Sequence, residues 1–215
     1  MMLSNLVVRR LILLGTPLAL AIWMLFHPWP YDDYLGQLVP IANWWIALHI
    51  VQFVLLAFMG VAVWLLTEGM SGIAATISKV AAVVFAISYD IGDAVAGIST
   101  AILARVAAEA PTGEQDAFVR AIGTLFRDPG KNLSFEIGID AWVVALFLAC
   151  ASRLPLLLFA PAAYFPTFDH AFPFGSLAFG FFFLAALWLE RAPWKRISVE
   201  REDSPSTCSP VPRAG

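Results

Sequence analysis

Between residues 73 and 108 the chain carries only four charged side chains, Lys79, Asp90, Asp93 and Arg105. The two in the middle are carboxylates three residues apart. An apolar run of this length suits a bilayer, whose ~30 Å hydrocarbon core takes about 20 residues of helix to cross. An ionised carboxylate there is costly, so Asp90 and Asp93 require a partner, a proton or water. Residues three apart on a helix share a face, which makes the two acids, with Tyr89 beside them, one polar feature.

Similar runs recur along the whole chain. Hydrophobic residues make up 60% of the 215 residues and charged residues 13%, about half of the roughly 25% charge of a soluble domain. Mean hydropathy is +0.78. The fold class that follows is all-α: a polytopic transmembrane helix bundle of about six spans. The expected spans are residues 11–26, 43–66, 78–103, 133–151, 154–168 and 174–189, in one transmembrane domain covering residues 1–196.

The first run follows Arg9 and Arg10 and resembles a signal peptide, with Ala19, Leu20 and Ala21 offering a small-residue cleavage site. The apolar run nevertheless continues through Trp23 and Phe26, so an uncleaved first span is expected. Residues 27–40, with Pro28, Pro30, Asp32 and Asp33, read as a loop. Glu68, Gly69 and Gly72 mark a turn. Residues 154–168 are short for a span and are interrupted by Pro155, Pro161 and Pro166, which points to a kinked fifth span or a re-entrant segment. Residues 197–215 lack the apolar content to build a core and are expected to be a disordered cytoplasmic tail.

Between the third and fourth spans, Ala117, Phe118, Ala121, Ile122, Leu125 and Phe126 recur at helical spacing, opposite Glu114, Arg120 and Arg127. This pattern predicts a short amphipathic helix, either lying on the membrane surface or capping the helix ends. Six spans collect Arg9, Arg10, Lys79, Arg153, Arg191, Lys195 and Arg196 on one side. By the positive-inside rule that side is cytoplasmic, and both termini with it, in a plasma (inner) membrane.

Polar pairs recur at one depth on three consecutive spans: His49 and Gln52, Asp90 and Asp93, Glu136 and Asp140. The candidate substrate- or proton-binding residues are therefore His49, Tyr89, Asp90, Asp93, Glu136 and Asp140, expected to converge on a polar pocket open toward the outer side. Ala86, Gly97 and Thr100 continue the Asp90 face with small residues, which lets a neighbouring helix approach closely. Buried acids beside a histidine suit proton relay or cation binding.

Other chemistries find less support. A catalytic zinc commonly takes several histidines, and of the three in the chain only His49 falls within a span. His27 and His170 are read as exposed loop residues near Asp32, Asp33 and Asp169. No metal or other cofactor is expected. Cys150 and Cys208 form no disulfide framework and no Cys-x-x-Cys motif. There is no nucleophile elbow and no Gly-rich phosphate loop. A net charge of −3 excludes a nucleic-acid partner, for want of a basic surface to neutralise phosphates. The expected partners are membrane lipids and a small solute, cation or proton. Other readings stay open: an accessory subunit of a membrane complex whose acids are interhelical contacts, or an intramembrane hydrolase or lipid-modifying enzyme using His49 with Asp90 and Asp93.

Overall fold

The computed structural model describes residues 2–28, 34–127, 129–150, 156–165 and 173–191. Among these the regular secondary structure is all helical, with no strand. Five helices are long and apolar enough to cross a membrane: Leu6–Phe26, Ala42–Leu66, Ile73–Glu109, Asn132–Ala149 and Phe174–Arg191. They are called here the first, second, third, fourth and last spans. Residues 197–215, expected as a tail, lie outside the described residues.

The turn between the second and third spans shows why the chain reverses there. Gly69 and Gly72 have φ of 77° and 91°, a left-handed region that glycine enters without a Cβ clash. Thr67 Oγ1 donates to the Trp64 carbonyl at 2.7 Å, and so satisfies one of the carbonyls left open at a helix end.

The third span is longer than expected, 37 residues, or ~55 Å at about 1.5 Å per residue. It continues through a π-helical stretch, Ala94–Ser99, into Thr100–Glu109. The extension carries the amphipathic helix Thr112–Arg127. That helix packs part of its apolar side on the bundle: Ile122 is fully buried in a cluster with Leu38, Trp45, Ala101 and Ala104. It is a cap over one end of the bundle.

Close crossings explain the small residues. A Cβ on Gly60 would sit 3.0 Å from the Ala82 carbonyl oxygen, and one on Gly138 would sit 2.9 Å from the Tyr89 backbone nitrogen. The third span thus packs tightly on the second and the fourth, as small residues allow between membrane helices. Ser78 adds a hydrogen bond to the Ala145 carbonyl at 2.8 Å.

The core centres on Trp142, which is 1% exposed. Its ring lies 4.7 Å from that of Phe85 and stacks at 5.6 Å on Phe182, while its Nε1 donates to the Ala162 carbonyl at 3.0 Å. One side chain therefore joins the third span, the fourth span, the short helix Leu156–Tyr164 and the last span.

At the opposite end from the cap, Arg9 Nε donates to Glu68 Oε2 at 2.8 Å. Arg9 Nη1 also donates to Glu190 Oε1, and Arg10 Nε lies 3.5 Å from Glu190 Oε2. This arginine end gathers the start of the first span with the ends of the second and last spans. Ser78, near the start of the third span, meets Ala145, near the end of the fourth, so the fourth and last spans run in the same direction. Connectivity then requires the chain to return across the bundle between Cys150 and Phe174. Leu156–Tyr164, with Pro161 inside it, lies on that route, in keeping with a bundle of about six spans.

Candidate functional site

At the end of the bundle away from the arginines, the second and third spans bring their polar residues together. Asp93 follows Asp90 by three residues on the face of the third span turned toward the second. Gln52 Nε2 donates to Asp93 Oδ1 at 3.0 Å, and His49 Nε2 lies 3.9 Å from the same oxygen. All are buried: Gln52 is 0% exposed, Asp93 1%, His49 2% and Asp90 5%.

The proton on His49 can be placed from its other nitrogen. Nδ1 lies 2.7 Å from the Trp45 carbonyl oxygen, and a carbonyl only accepts, so Nδ1 carries a hydrogen. Nε2 then bears a lone pair in the neutral ring and a second hydrogen in the imidazolium. A bare Nε2 facing a bare carboxylate in a buried site is repulsive. One proton between them removes the repulsion, as imidazolium with carboxylate or as neutral imidazole with carboxylic acid.

The seat of His49 is made by the π-helical turn. A Cβ on Gly97 would fall 2.1 Å from His49 Cδ2 and 2.2 Å from Cγ, so the imidazole occupies the space of the missing side chain. Turns of this kind occur mostly as single insertions and often at functional sites. Thr100 Oγ1 donates to the carbonyls of Ala96 and, at 3.1 Å, Gly97, within the widened turn.

His27 completes the cluster and corrects a sequence expectation. Read as an exposed loop residue, it is 9% exposed, and its ring sits 5.2 Å from that of His49 and 5.1 Å from that of Trp45. The prolines after it disguise this placement in the sequence, because they read as loop while the ring folds back against Trp45 and His49. Its Nδ1 donates to the Pro28 carbonyl at 2.8 Å. Burial lowers the pKa of His27 to about 4 from its ordinary 6.5, so the ring is neutral at pH 7. Between these values the folded chain binds fewer protons here than the unfolded one, so stability falls as pH drops through that window. The loss at pH 4 is expected to reach up to about 3 kcal/mol. Unfolding followed at pH 7 and pH 4 checks this, and His27→Asn should remove much of the difference.

Other candidates fall elsewhere. Tyr89 points to the fourth span, with its ring 5.6 Å from Phe85 and 5.0 Å from Phe135. Beside it is an apolar cavity of about 10 Å³ against Leu56, Phe85 and Trp142. Glu136 and Asp140 are exposed and do not join Asp90 and Asp93. Each is two residues from Gly138, which faces Tyr89, and so lies about 160° around the helix from it at 3.6 residues per turn. Among the described residues no group of three His, Cys, Asp or Glu side chains is placed to hold a metal ion. His170, Asp32, Asp33 and Asp169 lie outside the described residues.

Among the described residues around this site, the buried atoms Trp45 Nε1, Gln52 Oε1 and Asp90 Oδ1 have no hydrogen-bond partner. Such atoms are rare in folded proteins and mark a strained site or one served by water or an ion. Comparison with known proteins adds no relative to this geometry: no family model, curated protein or solved structure matches the chain.

Proposed function

We propose that this integral membrane protein handles protons, and that the His49–Asp93 pair takes up and releases a single proton inside the bundle. The observation that carries the reading is the 3.9 Å approach of His49 Nε2 to Asp93 Oδ1, with the opposite ring nitrogen already committed to a carbonyl. A larger solute fits less well. The side chains that would bind it present at most a few per cent of their surface, whereas a proton needs only a lone pair and a path. His27 and Trp45 stand on the capped side of His49 as the route of approach. By the positive-inside rule the arginine end is cytoplasmic. On this reading the histidine cluster lies in the outer half of the bundle, in a plasma (inner) membrane, with the first span beginning and the last span ending inside.

Gln52 supports a second reading, because its hydrogen bond to Asp93 also ties the second span to the third, as interhelical polar contacts do in structural subunits. Proteoliposomes loaded with a pH-sensitive dye separate the two. After an external acid pulse, the protein should speed internal acidification well beyond that of empty liposomes. Asp93→Asn, which keeps an acceptor for Gln52, should abolish the effect while the melting temperature holds. Transport equal to empty liposomes, or a variant that conducts like the parent, leaves the structural reading in its place.

A further inference from the structure

Asp90 is the buried acid that the His49–Asp93 pair leaves unused. It lies on the strip of the third span that packs against the second. Ala86, Asp90, Asp93 and Gly97 follow one another at intervals of four, three and four, spacings that keep one helix face. Contacts fix this strip on both sides of Asp90. His49 fills the Cβ space of Gly97 and Gln52 bonds to Asp93, while a Cβ on Gly60 would sit 3.1 Å from that of Ala86. Asp90 therefore faces the stretch of the second span between Gln52 and Gly60. Every residue from Phe53 to Met59 is apolar, so Gln52 is the polar group which that stretch offers. From the fourth span, Phe135 and Gly138 meet the third at Gly92 and Tyr89, and Glu136 and Asp140 are exposed. The ionisable neighbours of Asp90 are then Asp93 and, beyond it, His49.

We infer that Asp90 is a second proton-binding carboxyl, joined to Asp93 through the Gln52 amide, an inference that rests on reading His49–Asp93 as a proton-handling pair. Two unfilled acceptors carry it. Asp90 Oδ1 and Gln52 Oε1 have no hydrogen-bond partner, on side chains that are 5% and 0% exposed. An ionised Asp90 would leave both atoms without a hydrogen and a charge buried unpaired, which is costly. Arg9, Arg10, Lys79 and Arg105 are engaged elsewhere, with Glu68, Glu190, the Trp64 ring and Asn43. A carboxylic acid has an O–H to donate, and one proton on Asp90, given to Gln52 Oε1, answers both needs. Gln52 then holds the two acids from one amide, its amino group on Asp93 and its carbonyl on Asp90. Position supplies the role. The third span starts at the arginine end, so Asp90 lies one turn, ~4.5 Å at about 1.5 Å per residue, to the arginine side of Asp93. Asp90 releases its proton toward that end and takes the next from Asp93, which returns to the carboxylate.

Infrared difference spectra of the full chain with carboxyl-labelled aspartate, read beside the acid-pulse assay in proteoliposomes, test the assignment. A second pH-dependent carboxyl band should persist in Asp93→Asn, disappear when Asp90→Asn is added, and shift in Gln52→Leu, which removes the acceptor. Asp90→Asn alone should keep the His49-sensitive band of Asp93 and its melting temperature, yet lower transport to that of empty liposomes. Three results overturn this inference while leaving the His49–Asp93 pair in place: Asp90→Asn that conducts like the parent, an Asp90 signal that stays carboxylate throughout the titration (a hydrated ion in place of an acid), or a second band indifferent to Gln52→Leu. An unaltered protein that conducts no better than empty liposomes and shows no His49-sensitive band fails the reading of the pair itself and takes this inference with it.

Discussion

Gly97→Ala is expected to destabilise the protein by about 3 kcal/mol, at the upper end of overpacking costs, and to unseat His49. The added methyl would fall 2.1 Å from His49 Cδ2, far inside contact distance, and the ring cannot simply swing aside. Its Nδ1 is tied to the Trp45 carbonyl, and the Trp45 and His27 rings pack against it. Either the imidazole leaves, orphaning that carbonyl, or the π-helical turn moves and takes Asp93 with it. Unfolding of Gly97→Ala, His49→Ala and the double variant separates these routes. If the clash is with the ring, the double variant is about as stable as His49→Ala alone, a strong non-additivity between touching residues. An additive result places the strain in the turn itself.

Gly138→Val is the other large loss, again about 3 kcal/mol, for a different reason. Here the neighbour is backbone: the Tyr89 nitrogen lies at 2.9 Å and its Cα at 3.1 Å from the new Cβ. No side chain can rotate away, so the third and fourth spans must separate, and the packing of Trp142 on Phe85 loosens with them. Gly180→Ala is the matching control. No heavy atom lies within 4 Å of its Cβ position, so the gain in helix propensity of up to about 1 kcal/mol is not offset. Opposite signs for two glycine substitutions on membrane spans, read by thermal unfolding in the same detergent, mark which glycines are interfaces.

The parts of this arrangement legible in the sequence are those where polarity breaks an apolar run. Asp90 and Asp93 stand out because burial of charge demands company, and His49 and Gln52 offer it at the same depth on the preceding span. The cap was visible as a helical stripe, but its choice between lipid and protein was not, since an apolar face suits either. Glu136 and Asp140 show the opposite difficulty. Their depth follows from counting residues, yet the side of the fourth span that packs is set by Gly138 and Trp142. That span is apolar around most of its circumference, so the sequence alone leaves its rotation open. His27 was hidden by its prolines, and the π-helical turn by the absence of any residue type that demands it. Gly97 was noted for allowing close approach; what approaches is an imidazole from the second span.

On the proposed reading, one proton is shared between His49 and Asp93. Infrared difference spectroscopy across a pH titration, with carboxyl-labelled aspartate, tests it most directly. The protein should show a carboxyl band that changes with pH, is absent in Asp93→Asn, and moves to a different pH in His49→Gln. A titration of Asp93→Asn superimposable on that of the parent, or a band indifferent to the loss of the imidazole, would contradict it.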